Sequence, residues 1–401
     1  MNSLYPFARP LYIMAKPVGS LCNLACDYCY YLEKESIYRE QEEKSRFVMS
    51  DRTLEEYICQ YIAAQTQPYV LFVWHGGEPL LAGKDFFRKA VALQQRYAGG
   101  KSVENSIQTN GLLIDDEWCQ IFRDNNFLVG VSIDGPESIH DAHRVDAGGN
   151  PTFARVMKGI ERLYRNRVEY NTLTTINIHS EGRGAEVYNY LRQISVFMQF
   201  LPVAELLCDG RVQSPESEGA DIAPWSVSAK GFGEFMCDVF DIWVKNDVGR
   251  RYVQLFDATL ALMVGVQPSV CSLCETCGSG LTVEHNGDVY CCDHFVYPEY
   301  KIGNIHTDRL ADLAYCDRQF EFGVAKRALL PRECRHCKFY NLCHGECPKH
   351  RFIADNTGEY GKNYLCDGYR MFYEHTESAM TRMKELILEG KPASDIMTES
   401  R

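Results

Sequence analysis

The chain has 401 residues, 45% of them hydrophobic, and its 42 Lys and Arg against 54 Asp and Glu leave a net charge of −12. That is ample apolar material for a large core, and for more than one, while the acidic balance argues against a general nucleic-acid binder. No apolar run is long enough to span a membrane, and residues 1–10 lack the basic-then-apolar order of a secretory signal, so a cytoplasmic protein is expected.

In chain order, short apolar stretches rich in β-branched and aromatic residues predict strands at 11–16, 69–75, 103–108, 128–133, 170–178 and 196–201. Between them, amphipathic stretches predict helices at 51–66, 84–97, 115–125, 152–165 and 185–193, with Ser50-Asp51 and Asp115 as N-cap signals. About six β-then-α units predict a parallel sheet with right-handed crossovers. A curved, partial barrel is expected over a flat sheet, a choice that periodicity alone leaves open. Residues 207–225 read as a loop, carrying Cys-Asp-Gly and Ser-Pro-Glu-Ser-Glu-Gly, and a helix follows at 228–245. Stretches 281–284 and 289–292 flank Asn286-Gly287, a hairpin signal. A charged amphipathic helix is expected at about 370–389. The expected organisation is an α/β unit over 1–230, a helical link over 231–270, a cysteine-ordered unit over 271–370, and a helix and tail over 371–401.

Eighteen cysteines need a reason. In a reducing compartment clustered thiols point to metal and not to disulfides. Three fall within 22–29 and eleven within 271–366. A secreted disulfide protein is the rival reading, and it fits poorly with the absent signal. Cys22-x3-Cys26-x2-Cys29 offers three thiolates for three irons of a [4Fe–4S] cube, leaving the fourth iron open to a substrate. The rival is a zinc knuckle one ligand short. Farther on come Cys271, Cys277, Cys292, Cys334, Cys337, Cys343, Cys347 and Cys366, enough for two fully ligated clusters or two structural zinc sites. Interleaved Arg335, His336, Lys338 and His344 are expected to offset the thiolate charge. Cys59 and Cys119 read as small core residues, and Cys274 and Cys291, beside ligands, as possible confusions.

The triplet, Gly76-Gly77-Glu78-Pro79 and Ser132-Ile-Asp134-Gly135 each follow a predicted strand in order, and over about 11–205 the chain resembles the radical S-adenosylmethionine (SAM) superfamily. The resemblance implies SAM chelated on the triplet's cluster and split by one electron to a 5′-deoxyadenosyl radical. It implies SAM contacts from Tyr28 beside the adenine, from Gly76, Gly77 and Glu78 to the methionine end, and from Ser132, Arg144 and Ala204. The C-terminal spacing resembles the SPASM extension of peptide-modifying radical SAM enzymes. That likeness implies one auxiliary cluster on Cys271, Cys277, Cys292 and Cys347 and another on Cys334, Cys337, Cys343 and Cys366, three [4Fe–4S] clusters in all. The fold class implied is α/β, a partial (β/α)6 radical SAM barrel with a C-terminal iron–sulfur SPASM domain.

Gln108-Thr-Asn-Gly, Phe-Leu-Val-Gly-x-Ser-x-Asp-Gly-Pro and Val-Tyr-x-Cys292-Asp293 further resemble the anaerobic sulfatase-maturating enzymes. These convert a Cys or Ser of a sulfatase polypeptide to 3-oxoalanine (formylglycine), and the resemblance implies Asp293 as general base and Gln108 and Tyr31 near the substrate side chain. His75 stands where a glutamine stands in relatives. A flavodoxin or ferredoxin is the implied electron donor, with neither nucleic acid nor membrane as partner. The alternatives are another SPASM peptide modifier forming thioether or carbon–carbon crosslinks, and a zinc-stabilised scaffold without catalysis.

Overall fold

The computed structural model describes residues 10–31, 34–39, 47–208, 211–214 and 219–399. Six parallel strands form its spine: β1 (Tyr12–Ala15), β2 (Tyr69–Trp74), β3 (Ser102–Thr109), β4 (Phe127–Ser132), β5 (Tyr170–Ile176) and β6 (Phe197–Pro202). They lie side by side in sequence order. Helices Asp51–Ala64, Lys84–Tyr97, Asp116–Asp124, Phe153–Arg165 and Gly184–Ile194 make the crossovers that parallel pairing demands. Each sits within a few residues of its expected place. Helix Asp51–Ala64 starts because the Ser50 side chain accepts from the Thr53 N–H at 3.1 Å, and it turns Leu54, Tyr57, Ile58, Tyr61 and Ile62 onto the sheet. Asp115 caps the helix Asp116–Asp124 by accepting from the Trp118 N–H at 2.8 Å.

The segment expected as a loop holds more order than its turn residues suggested. β7 (Leu206–Cys208), β8 (Arg211–Gln213) and β9 (Asp221–Ile222) form a small antiparallel sheet. Leu206 and Val212 are its buried residues, and that pair of apolar anchors outweighs the polar, turn-forming composition. Residues 209–210 and 215–218, from the Cys-Asp-Gly and Ser-Pro-Glu-Ser-Glu-Gly stretches, lie outside the described residues.

The sheet also runs beyond six strands. After helix Ala229–Asn246, β10 (Tyr252–Val253) pairs parallel with β6, and helix Gln254–Met263 follows. On the opposite side β11 (Gly280–Val283) pairs parallel with β1, Ile13 standing opposite Leu281. β12 (Asp288–Tyr290) and β13 (Lys301–Asn304) continue antiparallel, giving ten strands in the order β10-β6-β5-β4-β3-β2-β1-β11-β12-β13. The hairpin expected at Asn286-Gly287 is there, with Gly287 at φ +89°.

The last long helix, Cys366–Leu388, begins at the final cysteine of the C-terminal set, four residues before its expected start. It lies on helix Ala229–Asn246, and the two backbones come closest where Gly233 meets Gly368. A Cβ on Gly233 would come within 2.9 Å of the Gly368 Cα. Among the described residues, no helix is long and apolar enough to cross a membrane.

Candidate active site

Functional groups gather where α/β sheets usually place them, beyond the C-terminal ends of the strands. The loop after β1 carries Lys16, Gly19 and then Cys22. The turn after β2 lies against it, backbone on backbone. The Gly77 N–H donates to Gly19 O and the Glu78 N–H to Leu21 O, both at 2.8 Å. A Cβ on Gly77 would sit 2.1 Å from Leu21 O, and one on Gly76, at φ +130°, would sit 2.7 Å from Gly19 O. Both glycines are therefore needed to bring the two loops together.

Glu78 is wholly buried and ties this turn to the end of β3. Its Oε1 accepts from the Leu80 N–H at 3.0 Å and the Thr109 hydroxyl at 2.8 Å, and its Oε2 accepts from the Asn110 N–H at 2.7 Å. Burial still pushes its pKa up to about 7. A carboxylate has about four acceptor positions, so three internal bonds leave room for a ligand cation. Asn110 reaches the triplet loop, donating to Asn23 Oδ1 at 2.7 Å, with Cys22 Sγ 3.8 Å away. Cys22, Cys26 and Cys29 are free thiols on one tight loop. Burial pushes Cys22 up to about 12, so an electropositive metal is what would deprotonate it.

The assigned SAM contacts form two bonded groups. Tyr28 donates its hydroxyl to Asp134 Oδ2 at 2.6 Å, and Arg144 grips the same wholly buried carboxylate through Nε at 2.9 Å and Nη2 at 3.2 Å. Burial alone would raise Asp134, but Arg144 outweighs it and keeps the carboxyl below its usual range. Arg144 thus has a resident partner, with the rest of its fork left for a ligand. Gln108 Nε2 donates to Ser132 Oγ at 3.0 Å, joining a residue assigned to the substrate with one assigned to SAM. Ala204 is buried just past β6.

Asp293 follows Cys292 in the turn after β12. It forms an ion pair with Lys16, which is wholly buried at the end of β1, and it accepts from the Tyr30 hydroxyl at 2.6 Å. Burial would raise Asp293, yet the Lys16 ammonium, by its charge and its hydrogen bond, holds it well below the usual carboxylate range. Lys16 Nζ also lies 3.1 Å from His75 Nδ1 and 4.3 Å from the centre of the Tyr31 ring. Burial and then Lys16 push His75 down to about 3, so its imidazole is neutral. Tyr31 donates its hydroxyl to Glu284, so Tyr30 is the tyrosine on Asp293. Lys16, Tyr30, Asn110 and Asp134 were not singled out in the sequence as site residues. Asn110 and Asp134 sit inside motifs noted there, whereas Lys16 looks only like the end of an apolar strand.

The eight C-terminal cysteines fall into two sets. Cys271 lies within electrostatic reach of Cys277, Cys292 and Cys347, and Cys274 also acts on Cys271 and Cys277. Cys334, Cys337, Cys343 and Cys366 line one cavity, together with Tyr340, Tyr369 and Arg370. Cys347 leaves the set of its neighbour Cys343 because His344, Gly345 and Glu346 all take positive φ and reverse the chain. His294 Nδ1 lies 3.5 Å from Cys347 Sγ. Cys291 is buried nearer Cys316 and Arg318, and Cys274 donates to Val270 O at 3.7 Å. Among the described residues no three His, Cys, Asp or Glu side chains close on a single ion position. The thiols of the second set surround a space, which suits a larger inorganic group.

The expected offsetting charges are mostly elsewhere. Arg335 donates to Leu330 O, His336 pairs with Arg332 O, Lys338 pairs with Glu377 at the surface, and His344 lies edge-on to Tyr340. Residues next to a ligand on a short helical turn point away from it. Lys326, Arg351, Lys362 and Arg370 are the cations that act on the thiols.

Family models match the chain at two places, the radical SAM superfamily over residues 17–189 and an iron–sulfur cluster-binding domain over residues 271–338. With the parallel sheet and the thiols above it, they define a radical SAM chain with a second cluster-binding region. The serine-type anaerobic sulfatase-maturating enzyme of Bacteroides thetaiotaomicron is 46% identical over 98% of this chain and 95% of its own length. The cysteine-type enzyme of Clostridium novyi is 32% identical, over 93% and 97%. A solved structure of native anSMEcpe with bound AdoMet and Cp18Cys peptide superposes with a TM-score of 0.82 at 30% identity, covering 94% of this chain and 99% of that one. The chain belongs to the anaerobic sulfatase-maturating enzymes.

Proposed function

We propose that the protein oxidises a Ser or Cys side chain of a sulfatase peptide to 3-oxoalanine, with Asp293 as the base. The observation that carries this is the placement of a carboxylate held ionised by Lys16 and Tyr30 directly after the thiol Cys292. When bound at the triplet's cluster, SAM supplies a radical that removes a Cβ hydrogen. The substrate carbon must then lose one electron and its hydroxyl or thiol one proton. Asp293 takes the proton at a carboxylate oxygen, and the set containing Cys292 offers the electron a place to go one residue away. Each loss favours the other, since no charge builds up on the substrate. Lys16, wholly buried and set beside His75 and the Tyr31 ring, fixes the direction of Asp293.

Glu78 is assigned to the SAM ammonium, Arg144 to its carboxylate, Tyr28 to the adenine side, and Gln108 with Ser132 to the boundary between SAM and peptide. The two C-terminal cysteine sets would hold [4Fe–4S] clusters, with a flavodoxin- or ferredoxin-type carrier as the external electron partner in the cytoplasm. Serine is the expected target, since the serine-type relative shares 46% of its residues with this chain and the cysteine-type relative 32%.

The test is mass spectrometry of Ser-x-Pro-x-Arg and Cys-x-Pro-x-Arg peptides after anaerobic incubation with reduced enzyme and SAM. A Ser peptide lighter by two hydrogens, or a Cys peptide lighter by two hydrogens with sulfur exchanged for oxygen, is expected. Unchanged peptides, or a crosslinked product, would remove this assignment.

A further inference from the structure

Arg351 is only 7% exposed, yet among the described residues none of its guanidinium's hydrogen-bond partners is a carboxylate. All four of its hydrogen bonds go to main-chain carbonyls: Nε to Gly345 at 2.7 Å, Nη1 to Lys326 at 2.5 Å, and Nη2 to His344 at 2.7 Å and Glu346 at 3.0 Å. Carbonyls satisfy the donors without cancelling the charge, and a buried cation left that way is costly unless other anions stand near. The carbonyls of His344, Gly345 and Glu346 belong to the three residues that join Cys343 of one set to Cys347 of the other, and Cys343 and Gly345 line the cavity of the second set, so the guanidinium stands where the two sets meet; Cys277 and Cys334 also act on it. Lys326 acts on Cys271 and Cys277, whereas Lys362 and Arg370 act within the second set. Among the described residues, Arg351 is a cation that reaches into both. Its place is fixed, since a Cβ on Gly345 would already lie 2.7 Å from Nη2.

We propose that Arg351 is an electrostatic bridge shared by the two auxiliary clusters, one buried positive charge that favours the reduced form of both. The proposal rests on the reading that both sets hold iron–sulfur clusters. A cluster on four thiolates is an anion that gains a further negative charge on reduction, so a nearby cation raises its potential. With one cation serving two sites, the potentials rise together and stay close. An electron passing between the sites oxidises one by one electron and reduces the other by one. No bond changes and no proton moves. The electron comes from the substrate carbon radical and leaves to a one-electron carrier of the ferredoxin or flavodoxin class.

The experiment is a redox titration followed by EPR on wild type, R351Q, R351K and K326Q, each reconstituted anaerobically with iron and sulfide. It is repeated in a C22A/C26A/C29A background, so that only the auxiliary clusters contribute. R351Q should lower both auxiliary potentials together, by about tenfold in each reduction equilibrium or about 59 mV for one electron. R351K should recover most of that shift, and K326Q should lower one potential and spare the other. A shift confined to one cluster in R351Q, no shift at all, or an R351K shift as large as that of R351Q overturns the bridge. Loss of iron from both Arg351 variants also overturns it, because the residue would then be a strut for assembly. A wild-type protein lacking two auxiliary signals would instead remove the cluster reading itself, a separate failure.

Discussion

Lys16, the residue after β1, and Asp293, the residue after Cys292, meet as an ion pair although almost the whole barrel separates them in sequence. The pairing β1–β11 makes this possible, because it sets the first strand of the barrel beside the hairpin β11–β12 that leads to Cys292. The lysine side chain is 0% exposed and the aspartate 16%, so the aspartate is the partner nearer the open side of the site.

Asp293→Ala should leave SAM cleavage intact while product formation falls by about a hundredfold or more, the usual loss for a general base. Chromatography of 5′-deoxyadenosine beside mass spectrometry of the peptide separates the two. Equal losses in both would show that Asp293 serves SAM and not the peptide.

Lys16→Met leaves a largely buried carboxylate without its cation, at a cost of about 3 kcal/mol in stability. Adding Asp293→Asn should restore much of that loss, because the stranded charge is gone. Denaturant unfolding of the two single variants and the double variant measures the coupling. Additive losses would mean that the pair does not hold the site together.

Glu78 gives SAM binding a pH dependence of definite sign. Burial sets its pKa near 7 in the SAM-free protein, so below that pH the carboxyl is protonated. An ammonium ligand prefers the ionised form. Binding therefore releases a proton at low pH, and affinity should rise by about tenfold per unit up to about 7, then level off. Titrating SAM against the EPR signal of the reduced cluster between pH 6 and pH 8 reads this, and Glu78→Gln should bind weakly with no such slope.

Iron content tests the thiol assignment. The full protein should hold about twelve irons, and Cys→Ala at any one of the eight assigned C-terminal ligands should remove about four. Cys274→Ala and Cys291→Ala should remove none. Loss of a cluster from either would move a ligand.

Much of the barrel was legible because β-branched runs alternating with capped amphipathic helices are local signals, and the strands pair in sequence order. The extra strands were not, since β10 is only two residues long and β11 joins β1 through a pairing that no local pattern announces. The small sheet β7–β9 was hidden by turn-rich composition. In the site, Glu78, Arg144 and Asp293 stood out through motif resemblance, but the sequence showed neither the Asp134 partner of Arg144 nor the internal bonds of Glu78. Tyr30 and Tyr31 are adjacent and chemically alike, so only the geometry tells which one serves Asp293. The cations beside the thiols were misplaced for a similar reason: immediate neighbours in sequence were taken for neighbours in space, while Lys326 arrives from another segment and Arg351 from four residues past Cys347.

The parallel pairing of Tyr12 with Gly280 has a consequence for biogenesis. Strand β1 is synthesised well before its partner β11, so its outer edge stays bare while the residues between them are made. An unpaired edge of this kind invites contact with other nascent chains. Expression trials that stop before β11 should therefore yield insoluble material, and full-length yields should depend on holdase chaperones more than on iron supply.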